Sequence, residues 1–91
     1  MILKFSNDMA QAWFRNRLNR SAAVWGISGT EKNVLLNIRS RSYGNTVELT
    51  HDEASLALSV CEYKVHDAWL SDPGLVEGRQ AIVDQLKKGT S

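Results

Sequence analysis

The sequence predicts an α+β fold: a three-stranded antiparallel meander with helices packed on one face, in the order α-β-β-β-α-α. Three observations predict it. Stretches at about 8–19, 50–70 and 75–88 carry apolar residues at helical spacing, with capping or stop residues at their ends. Between the first two lie two glycine-containing tetrapeptides, "GTEK" (Gly29–Lys32) and "RSYG" (Arg41–Gly44), flanked by apolar residues that alternate. The strand registers implied by those two turns agree with each other.

The first helix is opened by Ser6-Asn7-Asp8, where a short polar side chain caps the backbone and Asp8 suits the positive end of the helix dipole. At about 100° per residue, Ala10, Trp13, Phe14 and Leu18 form one apolar stripe, with Arg17 inside it. Ile2–Phe5 before it suits a short extra strand.

If both tetrapeptides are four-residue hairpin loops, Ile27 faces Val34, Trp25 faces Leu36 and Ala23 faces Ile38. The second loop then sets Ile38 opposite Val47 and Leu36 opposite Leu49. Every large partner falls on one face, with residues 33–40 as the middle strand. The other face presents Asn37, Arg39, Thr46 and Glu48 beside Val24 and Leu35, and stays uncovered.

Thr50-His51-Asp52-Glu53 is a capping box: threonine caps the helix and glutamate reaches back three residues. In the helix that follows, Ala54, Ala57, Leu58, Cys61, Val65, Ala68 and Trp69 make one stripe. Leu56, Val60, Tyr63 and Leu70 make a second on the opposite side, so this helix is expected to be packed on both faces. "SDPG", with the only proline, Pro73, turns the chain into a last helix over about Leu75–Lys88, which Gly89 ends. Were that helix displaced, the second stripe would be a dimer face, so both monomer and homodimer are open.

Ninety-one residues with 43% hydrophobic and 23% charged content suit one domain spanning 1–91, which is expected to bury roughly 60–65% of its unfolded surface. A single cysteine excludes an internal disulfide and points to a reducing compartment, the cytoplasm. Lys4 and the polar Ser6-Asn7-Asp8 interrupt the N-terminal apolar run, which argues against a signal peptide or a membrane span. The net charge of +1 hides an asymmetry. Residues 1–47 hold seven basic residues against two acids, a net of +5, while residues 48–91 hold four against eight, a net of −4.

Catalysis needs reactive groups that converge, and none do so along this chain. Cys61 sits in the middle of an apolar stripe as a small buried hydrophobe, and His66 lies about 140° around the helix from it. His51 and His66 are roughly 22 Å apart along a helix, too far to share a metal. No glycine-rich loop runs from a strand into a helix, so nucleotide binding by that route is not expected. We therefore expect no enzyme, no cofactor and no metal.

Macromolecular binding is what the residues favour. Trp13, Arg17 and Arg20 on the first helix, with Arg39, Arg41 and Tyr43 on the second hairpin, form a candidate patch of the residue types enriched at interface hot spots. It would suit an acidic protein surface, including one that normally contacts nucleic acid, and a regulator or inhibitor is the expected role. The alternative is a nucleic-acid-binding module that uses the basic half and the second hairpin. The α-β-β-β-α order is similar to the topology of double-stranded-RNA-binding domains. Where that family grips phosphate with a lysine-rich helix start, this chain has "THDEA", so the likeness stops at topology.

Overall fold

The computed structural model describes residues 1–24, 27–62 and 73–91. Among these the elements run β1 (Ile2–Lys4), α1 (Asp8–Ala22), α2 (Gly29–Arg41), β2 (Thr46–Glu48), α3 (His51–Glu62) and α4 (Pro73–Thr90). The fold is mostly helical, with one two-stranded sheet. The expected three-stranded meander is not what forms.

The correction falls on residues 29–41. "GTEK" is the first turn of α2, not a hairpin loop, and the expected middle strand is the body of that helix. Ser28 caps it, its hydroxyl accepting from the Glu31 N–H at 3.1 Å. Leu35, Ile38 and Ser42, spaced three and four apart, are fully buried. The strand reading had placed Leu35 on the open face. Periods of 2 and 3.6 coincide at i, i+4, so Val34 and Ile38 satisfy either one. What separates them is Leu35, which joins the buried stripe only in a helix.

With no middle strand, β2 finds a different partner. It pairs antiparallel with β1, Leu3 opposite Val47, and both side chains are buried. The segment Ile2–Phe5, expected only as an extra strand, therefore supplies half of the sheet. Gln85 of α4 covers the outer edge of β1: its side-chain carbonyl accepts from the Lys4 N–H and its NH₂ donates to the Lys4 carbonyl, each at 2.8 Å. A carboxamide thus takes the place of a third strand on an edge that would otherwise invite pairing.

Helix α1 is the centre of the packing and meets α2, α3 and α4. Asn7 caps it by accepting from the Ala10 N–H at 2.8 Å. It runs three residues past the expected end at Asn19, which takes Ala22 out of the supposed first strand and into the core. Phe14 is fully buried and its ring lies 5.5 Å from that of Phe5. Helix α4 crosses closely enough that a Cβ added at Gly78 would stand 2.5 Å from the Ala10 Cβ, so only glycine fits there.

The capping box at the start of α3 is present in both halves. The Thr50 hydroxyl accepts from the Glu53 N–H at 3.2 Å, and the Glu53 carboxylate accepts from the Thr50 N–H at 2.9 Å. Ala54, Ala57 and Cys61 are buried, as the first stripe requires, while Leu56, Leu58 and Val60 are half-buried. Pro73 opens α4, where its missing N–H costs no hydrogen bond. The expectations for Trp25, Tyr63, Val65, His66, Ala68, Trp69 and Leu70, and for the Ser71-Asp72 half of "SDPG", lie outside the described residues.

Candidate functional site

Gln11, Arg15 and Asn19 follow one another at four-residue steps and so share one edge of α1. The end of α2 and the turn after it lie alongside, bringing Arg39 and Tyr43 to that edge. The Arg15 guanidinium carbon stacks 4.4 Å from the centroid of the Tyr43 ring. Two neutral carboxamides hold the guanidiniums: Arg15 Nη2 donates to Gln11 Oε1 at 3.3 Å and Arg39 Nη1 to Asn19 Oδ1 at 2.6 Å. Gln11 also anchors the turn by donating to the Gly44 carbonyl.

Tyr43 is 60% exposed. Hydrogen bonding from Arg39 first, and then from Arg15, lowers its phenol below the usual value of 10.0. Among the described residues neither guanidinium is ion-paired to a carboxylate. Arg15 Nε is buried with no hydrogen-bond partner there. Two guanidiniums with no ion-pair partner among the described residues therefore flank one exposed aromatic ring.

Arg41, two residues from Arg39, turns the other way. Its Nε donates to Asn37 Oδ1 and its Nη1 to the Glu48 carbonyl, both at 2.9 Å, and its Nη2 is ion-paired with Glu53. It ties the end of α2 to β2 and to the start of α3. The Thr50 N–H, desolvation partly opposing it, and then the Arg41 charge hold the Glu53 carboxyl below its ordinary range. "RSYG" is thus the C-terminal end of a helix and the turn after it, not a hairpin finger. Gly44 does not adopt the left-handed backbone that a glycine-dependent reversal would need.

The remaining expected site residues separate. Trp13 is buried in the core, 5.9 Å beneath the Arg79 guanidinium. Arg17 is also buried, donating its Nε to the Val60 carbonyl at 2.9 Å, so it joins α1 to α3. Cys61 is buried as expected, and desolvation pushes its thiol up to about 12, which keeps it protonated. Arg20 is exposed beside an apolar cleft of about 720 Å³ between α1 and α3, walled by Val24, Ile27 and Val60. Of the six expected residues, Arg39 and Tyr43 come together at the edge of α1, and Arg17 and Arg20 both line the cleft; Trp13 and Arg41 stand elsewhere. Arg15, Gln11 and Asn19 complete their cluster and are not among the expected six, although their four-residue spacing is readable along α1.

Among the described residues no group of three or more His, Cys, Asp or Glu side chains is placed to hold a metal ion. No described helix is long and apolar enough to cross a membrane. The chain matches no protein-family model, no curated protein and no solved structure.

Proposed function

We propose that this chain is a non-enzymatic binding protein that regulates or inhibits a macromolecular partner through protein–protein contacts. Its docking point is the Arg15–Tyr43–Arg39 cluster, and the partner presents an acidic surface there. The observation that supports this is the exposed tyrosine between two guanidiniums that no described carboxylate neutralises. Arginine and tyrosine are the side chains that most often carry interface energy, since they offer rigid area and directed donors. Held by Gln11 and Asn19, both guanidiniums are pre-oriented and lose little freedom on binding.

Nucleic acid has less support. A backbone needs a track of cations, and the next arginine along, Arg41, is paired with Glu53 beside the exposed Glu48.

Affinity capture with cross-linking tests the proposal. The wild-type chain is expected to retain a protein partner cross-linked near Tyr43, and the Arg15→Gln/Arg39→Gln double variant to lose it by at least about tenfold. Retention unchanged in the double variant, or displacement of the partner by nuclease treatment alone, would overturn it.

A further inference from the structure

We propose that the Arg15–Tyr43–Arg39 cluster is a single-phosphate site, and that the partner docks there through a phosphomonoester carried on one of its side chains. The inference rests on the docking reading above and specifies its chemistry.

Charge is the first reason. The groups that position Arg15 and Arg39 are the neutral carboxamides of Gln11 and Asn19, so no described carboxylate offsets the two positive charges. A phosphomonoester carries about −1.5 to −2 at neutral pH, whereas an aspartate or glutamate carries about −1. The cluster matches the former.

The donors are the second reason. Each guanidinium spends one N–H on its carboxamide and keeps others. They act on one phenol from two different helices, with Arg15 over the ring face. Three terminal oxygens of one phosphate can accept from both guanidiniums and from the Tyr43 hydroxyl at once. A planar carboxylate has two oxygens and fits one guanidinium well, not two set on different helices.

Isolation is the third. Arg41 is committed to Glu53, Asn37 and the Glu48 carbonyl. Arg20 lies about 140° around α1 from Arg15 and faces the cleft toward α3. One phosphate is therefore recognised at a point and not as part of a chain.

The test titrates the ¹⁵N-labelled full chain with Nα-acetyl-phosphoserine amide, reading the Nε–H signals of Arg15 and Arg39 and the backbone amide signals of Tyr43 and Gly44 beside them. Nα-acetyl-aspartate amide and a short oligothymidylate serve as carboxylate and phosphodiester controls. The phosphoserine amide is expected to bind at least about fivefold more tightly than the aspartate amide. Arg15→Gln/Arg39→Gln should abolish the Tyr43 and Gly44 amide shifts with the rest of the backbone spectrum preserved, and Arg39→Lys should weaken them less than Arg39→Gln does. Equal binding of the two amides, a response centred on other residues, or tighter oligothymidylate binding with a salt slope above about two phosphates would overturn the site.

Phosphatase treatment of the captured partner separates this inference from the one beneath it. Release by phosphatase supports the phosphate site. Capture that survives phosphatase yet needs Arg15 and Arg39 overturns the phosphate and leaves the docking reading standing.

Discussion

Arg39 and Arg41 leave the same end of one helix and do opposite things. Two residues apart, they point about 200° from each other. One therefore meets α1 and the other meets β2 and α3. Arg41 finds a carboxylate, a backbone carbonyl and an asparagine there. Arg39 finds Asn19 and a tyrosine, and Arg15 joins it from across the groove. What a guanidinium does is set by what stands opposite it. Paired with a carboxylate, or buried against a backbone carbonyl as Arg17 is, it fastens elements together; exposed among neutral side chains, its charge stays directed outward, where a partner can use it.

Arg17 is the extreme case of the fastening kind, so removing it gives the largest effect. Arg17→Met leaves the Val60 carbonyl without its charged donor, and a loss of about 2 kcal/mol is expected in urea unfolding. A change under about 0.5 kcal/mol would place Arg17 with the outward-facing arginines.

Next is Arg41→Ala, expected to cost about 1 kcal/mol because its ion pair is partly exposed and solvent screens it. Partner capture should survive this change at temperatures where the variant is folded.

The pH dependence of stability carries a smaller signal. The Glu53 carboxyl is held below its ordinary 4.5 in the folded state. Its contribution is therefore fully present above that value and is lost as pH falls through the lowered folded pKa. Unfolding midpoints measured from pH 6 down to 3, with Glu53→Gln beside wild type, should show part of the acid slope missing in the variant. Parallel slopes would detach Glu53 from the Arg41 tie.

Smallest is a spectroscopic effect that leaves stability alone. Ultraviolet titration should find one of the two tyrosines ionising below the usual 10.0. Arg39→Gln should raise that step more than Arg15→Gln does, because Arg39 is the larger cause. If neither variant moves it, the guanidiniums do not act on Tyr43 and the cluster is not a unit.

How much of this was readable from the residues is decided at two helix starts. At Thr50 the pattern Thr-x-x-Glu reads as a capping box, and the helix is there. At Ser28 the same pattern, Ser-x-x-Glu, reads as the edge of a hairpin loop when the strand registers are followed, yet it too caps a helix. Gly29 invited the turn reading, and "VLLNI" satisfied an alternating register as well as a helical one. Agreement between two strand registers was weak evidence because Ile38 and Leu36 belonged to both.

That single misreading placed Arg39 and Arg41 on a hairpin and hid their divergence, which only a helix imposes. It also hid the pairing of Arg15 with Tyr43, which the packing of α2 sets beside α1. The caps of α1 and α3, the buried Cys61 and the stripe of Trp13, Phe14 and Leu18 were legible, because each depends on neighbours within a turn or two. The pairing of β1 with β2 spans more than forty residues, and nothing local announces it.

The division of labour between the arginines is tested most directly by thermal unfolding of Arg15→Gln/Arg39→Gln beside Arg41→Ala. The double variant is expected to melt within about 3 °C of wild type and Arg41→Ala about 4–8 °C lower. A double variant that melts as low as Arg41→Ala, or lower, would show that Arg15 and Arg39 are fasteners too. The claim that their charge is held ready for a partner would then fall.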